Sequence, residues 1–155
     1  MQKFINESED CSKLYFRCVD LDARAVAYAK ELIRVAPPRM HEISWEIGNV
    51  FRIQPDTSYD LIWCAGLFDY LNDRLASGLL KRIWRWLDVG GEAVIGNFHP
   101  SNPTRVMMQW VADWVLMYRT ENAMKTLVAK AAIPEESVFL SYEPLGISPF
   151  FHMRK

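Results

Sequence analysis

The strongest constraint on this chain is the way short apolar runs alternate with stretches of helical spacing. Residues 14–19, Leu-Tyr-Phe-Arg-Cys-Val, end at Asp20 and are aromatic and β-branched, the profile of a largely buried strand. Asp22 is placed to cap a helix in which Ala25, Val26, Ala29, Leu32 and Ile33 recur at helical spacing, and Pro37-Pro38 are its expected stop. Residues 43–50 predict a second strand with Gly48-Asn49 near its carboxyl end, residues 56–58 a loop, and residues 59–65 a third strand that is nearly all apolar. Asn72 or Asp73 then opens a helix whose Leu75, Leu79, Leu80, Ile83, Trp84 and Leu87 form one stripe, with Gly90-Gly91 as its stop. Residues 92–98 predict a fourth strand.

Beyond the loop at 99–103, Thr104 can start a helix with Val106, Met107, Trp110, Val111, Trp114, Val115 and Tyr118 along one side. A further helix over about 121–132 ends before Pro134. Two short strands, 137–142 and 148–153, flank Pro144-Leu145-Gly146, and so short a connection implies an antiparallel pair. Strands alternating with helices predict a single α/β domain over residues 1–155: a doubly wound, mostly parallel sheet covered on both faces, closed by an antiparallel hairpin. Ligands of such sheets bind beyond the carboxyl ends of the strands. Asp20, Asn49, residues 64–69 and residues 97–102 sit at those ends.

Composition removes several classes of function. The 18 Lys plus Arg nearly balance the 19 Asp plus Glu, so nothing draws the chain to nucleic acid or an anionic surface. Cys11, Cys18 and Cys64 are odd in number and show no CxxC, which fits a reducing cytoplasm and no disulfide. The most apolar stretch, 107–118, is broken by Gln109 and Asp113 and is shorter than the roughly 20 residues of a membrane span; it is expected to be a buried or lid-like helix. His41, His99 and His152 are scattered and no acid cluster accompanies them, so no metal site is expected.

The segment Phe16-Arg-Cys-Val-Asp-Leu-Asp-Ala-Arg-Ala-Val resembles the acidic second-strand motif of class I S-adenosylmethionine-dependent methyltransferases. Ile47-Gly48-Asn49-Val50-Phe51 is similar to that family's next motif, with Asn where Asp is usual. Tyr59 through Leu71 resembles its central strand and following loop, and Trp86-Leu-Asp-Val-Gly-Gly-Glu-Ala-Val-Ile-Gly-Asn-Phe its turn into the fifth strand. The resemblance implies S-adenosylmethionine as cofactor, with Asp20 accepting from the ribose hydroxyls and Asn49 accepting from the adenine amine. Leu21, Val50, Cys64, Ala65 and Gly66 are the adjoining cofactor positions it implies. A carboxylate can take both donors of a vicinal diol, and an amide oxygen can still accept from an amine. For Asp20 the competing reading is a helix cap, and for Asn49 a plain Gly-Asn turn.

The family's first strand carries a GxGxG-like loop beside the methionine part of the cofactor, where only glycine lets the backbone come so close. No Gly-x-Gly occurs here. Residues 1–10 suffice only for the end of a preceding helix, with Phe4 and Ile5 facing the sheet, so the chain reads as truncated. By family topology the lost strand lies between those ending at Asp20 and Cys64, and its loss exposes two edges that invite homo-oligomers.

The resemblance further implies an acceptor pocket at Asn97, His99, Asn102, Trp110, Tyr118 and Arg119, with His99 as a general base and Arg119 pairing with a carboxylate. Their competing readings are a loop histidine and a helix-end cation. Residues 97–119, with Asn-Pro-Thr-Arg and Trp-x-x-x-Trp, loosely resemble a bacterial group linked to hydroxy-fatty-acid methyl esters. O-methylation of a small or fatty-acid-like acceptor is the implied reaction. The rivals are a degenerate domain used for binding or oligomerisation and a nicotinamide-dependent oxidoreductase, whose fold also places an acid after its second strand.

Overall fold

The computed structural model describes residues 11–33 and 40–155. Two compact units form, Met1–Gln54 and Pro55–Lys155, each with its own sheet. The Pro37-Pro38 stop and the facing of Phe4 and Ile5 lie outside the described residues.

In the first unit β1 (Cys11–Asp20) leads through α1 (Ala23–Leu32) to β2 (Met40–Ile47). The strands are parallel, as a helical crossover requires, with Phe16 opposite Ile43 and Asp20 opposite Ile47. Asp22 caps α1 by accepting the Arg24 N–H at 2.8 Å. β2 stops three residues before the predicted end because Asn49 folds the chain back: its Oδ1 accepts the Phe51 N–H at 2.9 Å and its carbonyl the Arg52 N–H at 2.8 Å. Such an Asx turn competes with a strand ladder for the same backbone groups.

The second unit runs β3 (Tyr59–Ala65), a 3-10 turn (Leu67–Tyr70), α2 (Asp73–Trp86) and β4 (Leu87–Gly96). Then come α3 (Arg105–Trp110), α4 (Glu121–Lys130), a second 3-10 turn (Glu135–Ser137), β5 (Val138–Tyr142) and β6 (Pro149–Arg154). The sheet order is β3-β4-β6-β5, with β3 parallel to β4 and the predicted closing hairpin antiparallel. One face holds the core. Ala93 and Ile95 of β4 and Phe151 and Met153 of β6 are buried, as are Leu79, Leu80 and Ile83 of α2 and Met124, Leu127 and Val128 of α4. Each such large side chain contributes about 1.5–3 kcal/mol by leaving water. The opposite face leaves Leu61 and Trp63 exposed, where cover on both faces was expected.

The helix stop at Gly90-Gly91 needs correction. α2 already ends at Trp86, and both glycines lie inside β4, where the β3 register shifts between Tyr59 and Leu61. Gly90 has φ +84°, and a Cβ on Gly91 would meet the Tyr59 carbonyl oxygen at 2.8 Å. A left-handed glycine serves a helix end and a bulge equally well, so the pair marks an irregularity without saying which.

The helix over 104–118 is also corrected. α3 has six residues, Asp113 takes φ +49°, and residues 113–120 run without regular structure. Val106, Met107, Trp110, Val111, Trp114 and Val115, the predicted apolar side, are exposed, while Met108, Leu116 and Arg119 are buried. Tertiary bonds decide this: the Met117 N–H reaches the Asp69 carbonyl at 2.7 Å and the Arg119 N–H that of Phe98 at 3.0 Å.

Asn72, and not Asp73, is the α2 cap, accepting the Leu75 N–H at 3.0 Å. Asn72→Ala is expected to lower the unfolding free energy by about 1 kcal/mol, read as a lower urea midpoint at unchanged slope. An unshifted midpoint would assign the cap elsewhere.

Candidate functional site

Within the first unit the parallel pairing brings Asp20, Leu21, Asn49 and Val50 to one end of the sheet. Asp20 closes β1 exposed, its carbonyl taking the Gly48 N–H at 2.9 Å and its Oδ1 the Asp22 N–H at 2.8 Å. Its Oδ2 has no partner among the described residues, so one carboxylate oxygen stays available to donors such as sugar hydroxyls. Asn49 already uses one lone pair on Phe51 and keeps its amide hydrogens and second lone pair. This donor set fits an adenosine. The site residues expected in the second unit do not include a glycine cradle.

In the second unit Cys64, Ala65 and Gly66 end β3, with Gly66 at φ +95° turning the chain into the first 3-10 segment. Burial, reinforced by the charge of Asp69, pushes the Cys64 thiol up to about 12, so it stays a thiol and is no nucleophile. Asp69 itself is 3% exposed. Its Oδ1 accepts the Phe98 N–H and the Asn97 side-chain amide, both at 2.8 Å. Burial pushes this carboxyl up to about 6, although the Phe98 N–H and the Arg119 charge pull it down.

Arg119 completes the cluster at 4% exposure. Its Nη1 donates to the Phe68 carbonyl and to Asn97 Oδ1, each at 2.8 Å, and its Nε and Nη2 to Asp73 Oδ1 at 3.1 and 3.0 Å. The Leu71 carbonyl takes the remaining Nη2 hydrogen. All five N–H groups of the guanidinium thus have acceptors from the protein. Asn97 is likewise engaged, its amide also reaching the Met117 carbonyl at 2.9 Å.

Asn102 holds its own loop: Oδ1 accepts from the Thr104 N–H at 2.9 Å and hydroxyl at 2.8 Å. The Ser101 N–H donates to His99 Nδ1 at 3.2 Å, and the Ser101 hydroxyl lies 2.6 Å from the same atom. The neutral His99 ring therefore carries its proton on Nε2. Trp110 is 85% exposed on α3, apart from the cluster. Tyr118 stacks with the Arg105 guanidinium at 4.8 Å and tilts against Phe98 at 6.4 Å. The structure thus joins Asn97 and Arg119 and adds Asp69, from the stretch 64–69 expected at a strand end, and Asp73, expected only as a possible helix cap. The signal was present: an acid inside the apolar run Leu67-Phe68-Asp69-Tyr70-Leu71 must be buried with partners.

The sequence pattern described as "Methyltransferase domain" matches residues 6–91. No curated protein matches the chain. Among solved structures, an exported-protein candidate from Bordetella parapertussis is similar over 90% of this chain and 52% of its own, at 19% identity and a TM-score of 0.71. An O-methyltransferase candidate from Nostoc punctiforme PCC 73102 is similar over 90% and 44%, at 18% identity and a TM-score of 0.71. Magnesium protoporphyrin IX methyltransferase from Synechocystis PCC 6803, solved with bound S-adenosylhomocysteine, is similar over 90% and 63%, at 9% identity and a TM-score of 0.66. The chain spans about half the length of these relatives.

Proposed function

The chain belongs to the methyltransferase-domain family, and from that premise we propose that it serves S-adenosylmethionine-dependent O-methylation of a small or fatty-acid-like acceptor. The cofactor supplies an electrophilic methyl group on a sulfonium. The observation that carries the proposal is Asp20, with one oxygen fixed by the Asp22 N–H and the other left for a ribose hydroxyl. Asn49 would hold the adenine amine, and Leu21 and Val50 would lie beside the ring. On the acceptor side, Asn97 and Arg119 hold the loop after β4 through their buried bonds, while Tyr118 and His99 are the side chains left to meet an acceptor. A carboxylate acceptor needs alignment in line with the methyl–sulfur bond and no strong base.

Asp20→Ala is expected to weaken S-adenosylhomocysteine binding by roughly 1–3 kcal/mol in isothermal titration. Asp22→Ala is expected to lower the melting temperature and leave the affinity close to wild type. The reverse ranking would exchange the two roles.

The sequence has no Gly-x-Gly, so these residues alone are proposed to hold the adenosine half of the cofactor without orienting its methyl group, and the chain to self-associate. A monomer in light scattering that transfers methyl groups unaided would refute both. No helix among the described residues is long and apolar enough to cross a membrane, and the free Cys18 and Cys64 fit the reducing cytoplasm proposed for the protein. Exposed Leu61 and Trp63 favour a second reading, a partner-binding module. No heat and no thermal shift at millimolar S-adenosylhomocysteine would select it.

A further inference from the structure

Three adjacent strands of the second unit bring Ser141, His152 and Glu92 into one hydrogen-bonded line. His152 on β6 lies opposite both Val94 of β4 and Phe139 of β5, so Glu92 and Ser141, two residues along their strands, share its face. Ser141 Oγ is 2.7 Å from His152 Nε2, and His152 Nδ1 is 2.6 Å from Glu92 Oε1. An ionised carboxylate only accepts, so Glu92 takes the Nδ1 hydrogen and leaves Nε2 free to accept from the Ser141 hydroxyl. Arg154 holds the other carboxylate oxygen at 2.7 Å, and Phe139 stacks on the His152 ring at 4.4 Å and 13°. The imidazole is thereby fixed in tautomer and in plane.

From this geometry we propose that Ser141 is a nucleophile activated by His152 as general base, with Glu92 as positioning residue, acting on small acyl esters of aryl alcohols. Nucleophile, base and orienting acid are in the order that acyl transfer requires, recognised by geometry and not by fold. Ser141 and His152 are half-buried. The same face carries Phe150 opposite Ser141 and Trp63 at 5.4 Å from Phe150, an aromatic shelf for an aryl ring. The chemistry rests on base and nucleophile, which suits a leaving group that departs as a stable phenolate.

Ser141 Oγ bonds to the acyl carbon as its proton passes to Nε2, and the bond from that carbon to the aryl oxygen breaks with its electron pair on the phenolate. Nε2 passes this proton to the departing phenolate or to solvent and is a base again; water then adds to the acyl carbon, giving a proton to Nε2, and the acyl–Oγ bond breaks as Oγ regains that proton. The balance is ester plus water to acid plus phenol. This activity is independent of S-adenosylmethionine.

The test uses the full chain and 4-nitrophenyl acetate. A burst of 4-nitrophenolate is expected, with an acetyl group on Ser141 in the intact and peptide masses. Ser141→Ala and His152→Gln are each expected to slow the burst by about 10²-fold. Glu92→Gln should lower kcat with KM unchanged, as a residue acting through His152 does. An unchanged burst in Ser141→Ala, or acetyl groups only on lysines or His152, would overturn the proposal. Should Ser141→Ala not fold, the acetyl position in the wild-type peptides decides alone, and its absence from Ser141 refutes it.

Discussion

Arg119→Met is expected to lower the unfolding free energy by about 3–5 kcal/mol, read from the urea midpoint at neutral pH. Methionine fills much of the volume of the arginine stem, so the loss isolates the hydrogen bonds from the packing. Without the guanidinium, the carbonyls of Phe68 and Leu71 and the side-chain oxygen of Asn97 lose their donor inside the protein. Each orphaned acceptor costs roughly 1–3 kcal/mol. The ion pair with Asp73 adds little, because that carboxylate is 65% exposed and water screens it. Arg119→Lys keeps the charge but not the planar fork, and falls between wild type and methionine. If Arg119 instead served to anchor an acceptor, methionine would leave the midpoint within 1 kcal/mol and raise KM alone.

The second large effect is a pH dependence set by Asp69. Its carboxyl is raised to about 6 in the folded chain from an ordinary 3.8, so between those values the folded state holds the proton more tightly than the unfolded state. Stability from this group is therefore fully present below about pH 4 and is lost as pH rises through 6. At 1.36 kcal/mol per pH unit, the ionised group costs the neutral protein roughly 3 kcal/mol. Asp69→Asn keeps an oxygen for the Phe98 N–H and the Asn97 amide and carries no charge. It is expected to match wild type near pH 4, exceed it at pH 7.5, and show no slope from this site in between. Paired urea titrations across that range check it. A wild type that gains on Asp69→Asn as pH rises would show that Arg119 and the N–H donors hold the ionised form preferentially.

How much of this was legible in the sequence varies with the physical signal. Residues 59–65 predict a strand with the observed ends, because a nearly all apolar run of strand length follows the loop at 56–58. The Asp22 cap and the closing hairpin were equally local in origin. The Gly90-Gly91 bulge was not, since a glycine's backbone freedom does not reveal which partner it accommodates. Residues 104–118 have helical apolar periodicity, yet hydrogen bonds to Asp69 and Phe98, distant in sequence, hold 117 and 119 outside any helix. Asn97 and Arg119, expected on the acceptor side, are bonded to each other and to Asp69 and Asp73, a pairing that emerges only when the chain is folded. Asp20 and Asn49 stand out in the sequence because a polar residue at the tip of an apolar strand is conspicuous, and in the structure both make local turns that leave part of each side chain available.

Asp69, Asp73, Asn97 and Arg119 lie on separate stretches of the chain but draw on one set of hydrogen bonds, and that gives them a common inheritance. A lone replacement that removes a donor or acceptor, as Arg119→Met does, strands its neighbours, so such effects do not add, whereas an isosteric one such as Asp69→Asn leaves the bonds in place. Across descendants of one ancestor Arg119 and Asn97 are expected to appear and disappear together, with Asp or Asn at position 69. Asp73, whose carboxylate faces water, is the member free to wander first.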